Sequence, residues 1–224
     1  SKYQRYIYRR LAEITSGGNH RLMIFMPPRH GKSEMVTVRY TAWRLLQNPQ
    51  LNVILGSYNQ RLADKFSRKI KRIVQSASFS LSPTNAEERA KAHTLNTASE
   101  WETPGGGVVR SVGVGGGIAG FGASLIVIDD PVRNRADAES RTYRDRVDEW
   151  FKDDIYTRME PGASIILIQT RWHEDDLAGR LLNEQENGGD KWEVIRLPAF
   201  AEAGDPLGRR EGRPLCAKRY GVAA

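Results

Sequence analysis

A short stretch near the start of the chain contains the residue types that bind phosphate groups. It reads PPRHGKS, from Pro27 to Ser33, and it follows an apolar run and precedes a helical pattern. Backbone N–H groups near Gly31 can cradle phosphate oxygens at the start of such a helix, where the helix dipole also favours negative charge. The ammonium of Lys32 would reach the same oxygens, and the hydroxyl of Ser33 would be a ligand of Mg²⁺. The stretch therefore predicts a nucleotide site, whose contacts from this loop are Pro28, Arg29, His30, Gly31, Lys32, Ser33 and Glu34.

Met26 departs from the usual pattern of such a loop. The pattern G-x-x-x-x-G-K-[ST] has glycine at this position. That glycine serves the turn, and Pro27 and Pro28 can shape the turn instead because proline fixes φ. The alternative is a chance Gly-Lys-Ser in an ordinary loop. The strand pattern LMIFM before the loop and the helix pattern EMVTVRYTAW after it favour the functional interpretation.

Two adjacent acids end a second apolar run, SLIVIDD, which spans Ser124 to Asp130. A phosphate-binding loop requires an acid at the end of a neighbouring buried strand, and Asp129 is predicted to hold Mg²⁺ through water. Asp130 is predicted to be the catalytic base or to position the attacking water. Glutamate is commoner there, and the shorter aspartate would hold the water nearer the strand. The alternative is that both acids only cap the helix after Pro131.

A third apolar run, ASIILIQT, ends at Thr170, whose hydroxyl could sense whether a γ-phosphate is present. The alternative is an ordinary strand-end threonine with its hydrogen bonds satisfied. The acids of the following RWHEDDL segment, Glu174, Asp175 and Asp176, are predicted to cap a helix. His173 has no second ligand nearby in the sequence, so we expect a structural or coupling role rather than metal binding.

These residues lie at the ends of apolar runs that alternate with helical patterns. Such alternation is typical of an α/β fold with a parallel sheet. Helices are predicted over Tyr3 to Ile14, from Met35 to Leu45, from Leu62 to Ile73, from Tyr143 to a close near Pro161-Gly162, and over Asp175 to Glu186. Strands are predicted over Arg21 to Met26, Asn52 to Tyr58, Ser124 to Asp130, Ala163 to Thr170 and in WEVIRLP, with hairpins and loops between Phe79 and Gly122.

The composition limits the class of protein. A chain of 224 residues has room for one large domain with a proper core. The 34 Lys and Arg against 27 Asp and Glu give a net charge of +7, which favours an acidic partner such as nucleic acid or an anionic surface. The single cysteine, Cys216, excludes an internal disulfide framework, and the four histidines are too far apart for a structural zinc site. Without an apolar run of about 18 residues or a signal sequence, a soluble intracellular protein is expected.

The predicted helix after the second strand is strongly basic. Its basic residues are opposed by the single acid Asp64. Such a face is usually only solvated, and the alternative is that it contacts phosphates. The basic residues are Arg61, Lys65, Arg68, Lys69, Lys71 and Arg72.

Four segments in order, YQRYIYRRL, MPPRHGKS, LIVIDDP and QTRWHEDDLAGRLL, resemble the ATPase domain of the large terminase subunit of tailed bacteriophages. The resemblance covers roughly residues 3 to 200. It implies a P-loop NTPase fold of the RecA-like, additional-strand catalytic-glutamate type, which has three layers with a central, mainly parallel β-sheet flanked by helices. It also implies that Mg²⁺-dependent ATP hydrolysis drives translocation of double-stranded DNA into a procapsid.

The resemblance further implies partners and individual residue roles. The motor would act in the cytoplasm of the infected bacterium, away from any membrane, as a homo-oligomeric ring, usually a pentamer, with the portal protein and the small terminase subunit. Gln4 is similar to a glutamine that recognises adenine, and its amide can both donate and accept. Arg29 is similar to a loop arginine that contacts the γ-phosphate. The implied catalytic residues are Arg29, Lys32, Asp130 and Thr170, with Ser33 and Asp129 holding Mg²⁺.

Two departures from the family are visible. Where many relatives have an arginine finger in the glycine-rich segment before LIVIDD, this chain has Phe121, so the finger must come from elsewhere or be absent. The candidates are Arg29 within the subunit, and Arg133, Arg135 or Arg141 towards a neighbour. The family's nuclease domain is also expected to be absent: residues 1–200 would be the ATPase domain and residues 201–224 a linker or truncated edge, so this chain alone should not cut DNA.

Three other functions were weighed against the motor. A nucleotide-binding but inactive regulatory or structural ring module fits Met26, Phe121 and the aspartate at position 130. A helicase-like ATPase would need two RecA-like domains, and this chain holds one. A GTPase is disfavoured because the chain has no [NT]-K-x-D guanine motif.

Overall fold

The computed structural model of the chain describes residues 1–17, 20–81 and 96–217. In the middle of the molecule lies a sheet of seven strands. The strands are β1 (Arg21–Phe25), β2 (Val53–Ser57), β3 (Glu100–Glu102), β4 (Val108–Gly113), β5 (Ala123–Asp129), β6 (Met159–Gln169) and β7 (Glu193–Arg196). The predicted strands are thus present, and their bounds differ from the predicted bounds mainly at β6.

Helices cover both faces of this sheet. α1 is Lys2–Thr15, α3 is Gln60–Leu81, α4 is Arg135–Glu139 and α6 is Leu177–Glu186. α2 begins with wide π-helical turns over Glu34–Tyr40 and continues as α-helix over Thr41–Gln47. α5 is Arg141–Glu149, and it continues through π-helical turns over Trp150–Ile155 and a 3-10 turn over Tyr156–Arg158.

The strand order is β3-β4-β2-β5-β6-β1-β7, and every neighbouring pair is parallel except β3 with β4. The antiparallel β3–β4 pair is a hairpin of the kind expected between Phe79 and Gly122, and residues 82–95 of that segment lie outside the described residues. β5, β6 and β1 are adjacent. Because parallel strands point the same way, the residues that follow these three strands meet at one edge of the sheet.

The two faces of the sheet have separate hydrophobic cores. α1, α2 and α3 pack on one face, where Ile7, Leu11, Val36 and Ile70 join Leu22, Ile24, Leu55 and Val127. α5 and α6 pack on the other face, where Val147, Trp150, Phe151 and Leu181 join Met23, Ile54, Ile126 and Leu167. β1, β2, β5 and β6 contribute alternate residues to both cores, which explains why their sequences are almost continuously apolar. The predicted α/β sandwich of three layers is confirmed.

The junction between α5 and β6 differs from the prediction. The helix before β6 ends at Arg158 and not near Pro161-Gly162, and β6 begins at Met159 and not at Ala163. The register of β6 on β5 shifts between Ala123 and Leu125. Such an irregularity accommodates a proline, which cannot donate to the hydrogen-bond ladder.

The segment after β7 packs against the domain. Ala201 and Arg213 are joined by a backbone hydrogen bond of 2.8 Å, and Leu215 donates to the Ala199 carbonyl at 2.7 Å. Leu207 and Leu215 are buried in the core on the α1 face. The division into a domain over residues 1–200 and a linker over residues 201–224 stays a prediction. No helix within the described part of the chain has the length and apolar character needed to cross a membrane.

Candidate active site

The loop between β1 and α2 has the backbone shape of an anion site. Gly31 has φ of 78°, and a Cβ built on it would meet no atom within 4 Å, so the space beside its backbone is open. Arg29 has φ of 63°, which is uncommon for a residue with a side chain and marks a tightly bent loop. The helix that follows offers N–H groups of its first turn, which lack acceptors within the helix. This end of α2 therefore favours a bound anion.

Lys32 is the cation at the centre of the site. Its side chain is almost completely buried, with 5% of the residue exposed. Its Nζ lies 2.8 Å from Oδ2 of Asp130 and donates to Oγ1 of Thr170 at 2.5 Å. The structure therefore brings together three residues that are far apart in sequence and that we predicted to be catalytic.

Asp129 lies below Lys32, at the end of β5, and is 1% exposed. Its carboxylate accepts a hydrogen bond from Ser33 Oγ at 3.0 Å and another from Thr37 Oγ1 at 2.5 Å. Ser57, at the end of β2, donates to its backbone carbonyl at 2.8 Å. Ser33 is the N-cap residue of α2 and Thr37 lies in its first turns, so these bonds fix the start of that helix against β5.

The environment of Asp129 disfavours its charged form. Burial raises the pKa of Asp129 to about 7, and the negative charge of Asp130 acts in the same direction. The hydroxyls of Thr37 and Ser33 and the ammonium of Lys32 oppose this effect. A cation placed at this carboxylate would favour its charged form.

Asp130 has an unusual backbone. Its φ is 45°, in the left-handed region, where most residues with a side chain are strained. Its N–H donates to the Ile168 carbonyl at 2.8 Å, and its Oδ1 accepts from the N–H of Thr170 at 2.8 Å. These bonds to the end of β6 hold the carboxylate over the same edge of the sheet as Lys32. Strained residues of this kind are common at active sites.

A buried polar cluster continues from Thr170 into the RWHEDDL segment. Asp176 accepts from Gln169 Nε2 at 2.9 Å, from Arg171 Nε at 2.6 Å and, as the N-cap of α6, from Gly179 N at 2.9 Å. The Arg171 guanidinium also lies over the Phe25 ring, 5.0 Å from its centre. The loop after Thr170 is therefore tied both to β1 and to α6.

The neighbouring acids have other partners. Asp176 alone is the N-cap of α6, so the prediction that all three acids cap the helix is confirmed only for this residue. Asp175 pairs with Arg144 and Arg180, and these contacts, the Arg180 bond foremost, lower the pKa of Asp175 to about 2. Nδ1 of His173 accepts from the Asp175 N–H at 2.9 Å. Within the described residues no cluster of three or more His, Cys, Asp or Glu could hold a metal ion.

The start of α1 borders the phosphate-binding loop. The Tyr3 hydroxyl donates to the His30 carbonyl at 3.1 Å, and the His30 ring contacts the Pro28 carbonyl at 3.0 Å. Gln4 is one residue further along α1, and its Oε1 accepts from the Ser1 ammonium at 2.7 Å. Pro28 and Arg29 are exposed on the loop, and the role of Gln4 in recognising adenine stays a prediction.

Glu34 points away from this cluster. Its carboxylate pairs with Arg39 and with Lys69 of α3, at 3.1 Å in each case. Among the residues predicted for the loop, the structure therefore joins Lys32 and Ser33 to the acids of β5, and directs the Glu34 side chain towards α3.

The family is shown by the sequence itself. Residues 23–219 match the family described as "Terminase large subunit, T4likevirus-type, N-terminal". This chain belongs to that family. The predicted resemblance to large terminases is confirmed.

Individual terminases show the same relationship. The chain is 26% identical over 123 residues to the large terminase subunit of Enterobacteria phage T3, a match that covers 54% of this chain and 20% of that protein. It superposes on the crystal structure of the HK97 bacteriophage large terminase with a TM-score of 0.57 at 12% identity, over 92% of this chain and 40% of that chain. The chain thus spans well under half the length of these relatives, and the structural match shows the P-loop NTPase fold.

Two unusual positions noted in the sequence, Met26 and Phe121, have side chains that pack in or beside the hydrophobic cores. Met26 is 3% exposed and packs into the core on the α1 face, so its side chain contributes to the fold and does not lie in the loop. Phe121 packs beside the core on the α5 face, and the Arg110 guanidinium lies over its ring, 4.9 Å from the centre.

The candidate finger arginines Arg133, Arg135 and Arg141 each have an acid four residues later in the chain. The pairs join Arg133 to Asp137 at 3.3 Å, Arg135 to Glu139 at 3.5 Å and Arg141 to Asp145 at 3.7 Å. All three arginines are well exposed.

Two residues of the site were missed by the sequence analysis. Thr37 lies one helical turn after Ser33, and this spacing places both hydroxyls on the same side of α2, a signal that could have been used. Ser57 ends β2 beside Asp129, and only the strand order could have identified it. Both residues are completely buried and support the Asp129 carboxyl or its backbone.

Proposed function

We propose that this chain is the ATP-hydrolysing motor domain of a phage DNA-packaging terminase. One observation carries the proposal: Lys32, Asp130 and Thr170 are joined by direct hydrogen bonds. These residues follow the carboxyl ends of the neighbouring strands β1, β5 and β6. Family membership alone does not show that the site is complete. The geometry supports activity because the loop lysine, the acid expected to hold the metal and the acid expected to position the water lie at one edge of the sheet, with direct contacts from Lys32 to Asp130 and from Ser33 to Asp129.

Binding of the nucleotide would rest on the loop and on Lys32. The N–H groups at the start of α2 and the open space beside Gly31 suit the β- and γ-phosphates. Lys32 would donate to the same oxygens. By family resemblance, Gln4 would offer its amide to the adenine edge, and the exposed Arg29 would reach the γ-phosphate.

Ser33 and Asp129 fit a Mg²⁺ ion that arrives with ATP. A hydroxyl oxygen and a carboxylate oxygen 3.0 Å apart are hard ligands, and Mg²⁺ is usually held by one or two carboxylates together with substrate phosphates. When bound, the ion would neutralise charge on the phosphates. Ser33 and Asp129 would orient it, and Thr37 would hold the Asp129 carboxylate in place.

Asp130 would orient the attacking water and accept its proton. Its left-handed backbone and its bond from Thr170 N point the carboxylate to the open side of the sheet edge, next to Lys32. A base in this position raises the rate of hydrolysis by orienting the water and removing its proton. Thr170 touches both Lys32 and Asp130, so it is placed to respond when phosphate charge changes.

The proposed motor acts on double-stranded DNA within an assembly. By family resemblance, its partners are the portal protein, the small terminase subunit and further copies of this chain in a ring, usually a pentamer, in the cytoplasm of the infected bacterium. An arginine from a neighbour, with Arg133, Arg135 and Arg141 as candidates, would complete the site. Nuclease activity is not proposed for these residues.

Steady-state release of phosphate from Mg-ATP tests the proposal over a wide range of protein concentration. We expect slow turnover that rises faster than linearly with concentration, because an arginine supplied by a neighbour is worth roughly 10³ to 10⁵ in rate. Lys32→Ala and Asp130→Asn should each abolish it. Lys191→Gln, at an exposed position just before the edge strand β7, is the control and should leave turnover unchanged.

An inactive nucleotide-binding module is the competing function. It fits Phe121 at the usual position of the finger and aspartate in place of glutamate at position 130. This alternative predicts that nucleotide binds, but that turnover at every concentration equals that of Lys32→Ala. That result would overturn the proposed ATPase activity.

A further inference from the structure

The outer face of α3 carries a continuous row of positive charge. Arg61, Lys65, Arg68 and Arg72 are all exposed and follow one another at helical spacing. The opposite side of the helix is buried, with Ala63, Ser67, Ile70 and Val74 against the sheet. The four basic residues, called the α3 stripe below, therefore point directly away from the core.

The stripe differs from the other basic helix surfaces of this protein. In α4 and α5, arginines have an acid four residues later, as in the Arg135–Glu139 and Arg141–Asp145 pairs. In α3, the residue four positions after Arg61 is Lys65, and the residue four positions after Arg68 is Arg72. None of the ion pairs in the described part of the chain involves a residue of the α3 stripe.

This arrangement lowers the stability of the helix. Like charges four residues apart on a helix destabilise it by a few tenths of a kcal/mol per pair. The nearest acids of the region have other partners: Glu34 pairs with Lys69 and Arg39, and Asp64 accepts from Gln60 and Ser111. The positive potential of the α3 stripe is therefore left for an external anion.

We infer that the α3 stripe binds the phosphate backbone of duplex DNA. Eleven residues of helix separate Arg61 from Arg72, which is about 16 Å at 1.5 Å per residue. This length exceeds the roughly 12 Å width of the major groove, so one stripe can contact phosphates on both strands. Exposed arginine and lysine side chains that are not held in ion pairs suit phosphates, and such contacts carry no base sequence information.

The choice of duplex DNA as the polyanion rests on the proposed motor function, whereas the charge geometry stands independently of it. α3 directly follows β2, whose last residue, Ser57, donates to Asp129, so the helix starts beside the site. Lys69 of α3 also reaches Glu34 in the first turn of α2. These contacts connect α3, which carries the stripe, to Asp129 at the end of β5 and to the start of α2.

The test is the salt dependence of duplex binding. The double variant Lys65→Gln with Arg68→Gln is compared with the wild type by fluorescence anisotropy of a labelled blunt duplex at several salt concentrations. We expect the affinity to fall by about ten- to a hundredfold near 0.1 M salt, and the slope of log K against log salt to become shallower by about 2, since each lost phosphate contact contributes about 0.9.

A matched control removes the same residue types elsewhere. Lys191→Gln with Arg196→Gln takes one lysine and one arginine from exposed positions next to and within β7, at the opposite edge of the sheet. This variant should keep wild-type affinity and slope. Equal losses in both double variants would show only the effect of net charge and would overturn the inference.

Two more outcomes decide against the inference. Unchanged duplex binding by the stripe variant would overturn it and would favour an acidic protein surface as the partner. A loss confined to one of two duplexes of unrelated base order would overturn contact with the backbone alone. The stripe variant should melt at or slightly above the wild-type temperature, so unfolding cannot imitate the expected result.

The proposed ATPase function can fail separately. Lys32→Ala should bind duplex DNA like the wild type, because Lys32 is buried away from the α3 stripe. The stripe variant should still bind Mg-ATP. If the wild type does not hydrolyse ATP at any concentration but the stripe variant alone loses DNA binding, the motor proposal fails and the DNA surface stands.

Discussion

Asp129 combines burial with a function that needs negative charge. It is enclosed by the sheet and α2, and its two oxygens are already occupied by the hydroxyls of Ser33 and Thr37. Its raised pKa means that, without a bound cation, the folded chain holds a proton that the unfolded chain has released. Stability is therefore lost as the pH rises from the unfolded value, near 4, to about 7.

Asp129→Asn should remove this pH dependence. The amide is neutral at every pH and can still accept from one of the two hydroxyls. Compared with the wild type, the variant should gain stability between about pH 5 and pH 8, by up to a few kcal/mol. Urea unfolding of both proteins without nucleotide or Mg²⁺ measures the difference. Unfolding free energies that stay parallel across this range would contradict the raised pKa.

Two substitutions of Asp130 test the importance of its left-handed backbone. A left-handed conformation costs roughly 1–2 kcal/mol for most residues, but asparagine tolerates it well. Asparagine also keeps an oxygen that can accept from Thr170 N. Asp130→Ala should therefore unfold more easily than Asp130→Asn, by about 1–2 kcal/mol.

Both Asp130 variants lose the ion pair with Lys32, so comparing them removes that effect. Urea unfolding provides the measurement, and both should be inactive in phosphate release. Equal stability of the two variants would mean that neither the backbone strain nor the bond to Thr170 matters.

At the scale of elements, Arg144 of α5 joins two segments that follow catalytic residues. Its Nη1 donates to the Ala138 carbonyl of α4 at 2.7 Å, and its Nε donates to Asp175 at 3.0 Å. α4 follows Asp130 in the chain, and Asp175 follows Thr170. Arg144 is itself buried, and its two contacts connect the segment after Asp130 to the segment after Thr170 through one side chain.

Replacing Arg144 by methionine should lower the free energy of unfolding by about 2 kcal/mol, because the Ala138 carbonyl and Asp175 lose a charged donor. Lysine should not restore the loss, since it lacks the planar fork of donors. Arg141→Met is the control: Arg141 is highly exposed and lies 3.7 Å from Asp145, so its loss should cost under about 0.5 kcal/mol. Urea unfolding distinguishes them, and equal effects would contradict the special position of Arg144.

The sequence predicted the elements better than their ends. Apolar runs identified the buried strands because both of their faces are covered. The start of β6 was missed because Pro161 and Gly162 look like a stop signal, and only pairing with β5 shows that the strand continues through them. The start of α6 was misplaced because Asp175 and Asp176 look alike in sequence. In the structure Asp175 pairs with Arg144 and Arg180, whereas Asp176 is the N-cap of the helix.

At the scale of the whole molecule, parallel strand direction is what made the site predictable. Each predicted residue followed an apolar run, so all of them were expected at one edge of the sheet. Strand order was not predictable in this way, and it decides which partners are adjacent. The roles of Ser57 and of the Thr170 contact with Lys32 depend on that order, so they became visible only in the folded chain.

The intact fold should respond to nucleotide. A ligand at about a hundred times its Kd stabilises a protein by about 2.7 kcal/mol, which corresponds to about 5 to 10 °C in Tm for a chain of this size. We expect this rise with a non-hydrolysable ATP analogue and Mg²⁺, measured by differential scanning fluorimetry. Lys32→Ala should show none, and chelating Mg²⁺ should reduce the rise. An equal rise in the variant would place nucleotide binding elsewhere.

The contacts of Lys32 couple phosphate binding to the positions of Asp130 and Thr170. The ammonium has three N–H donors and already gives two of them to Asp130 and Thr170, so a phosphate oxygen either takes the third donor or exchanges with one of those two residues. Under the proposed function, a triphosphate drives this exchange with more charge than a diphosphate does. Lys32 would then have different partners in the triphosphate-bound and the diphosphate-bound subunit. The loop after Thr170, which is joined to α6 through Asp176, would be the first part of the fold to change between these two states.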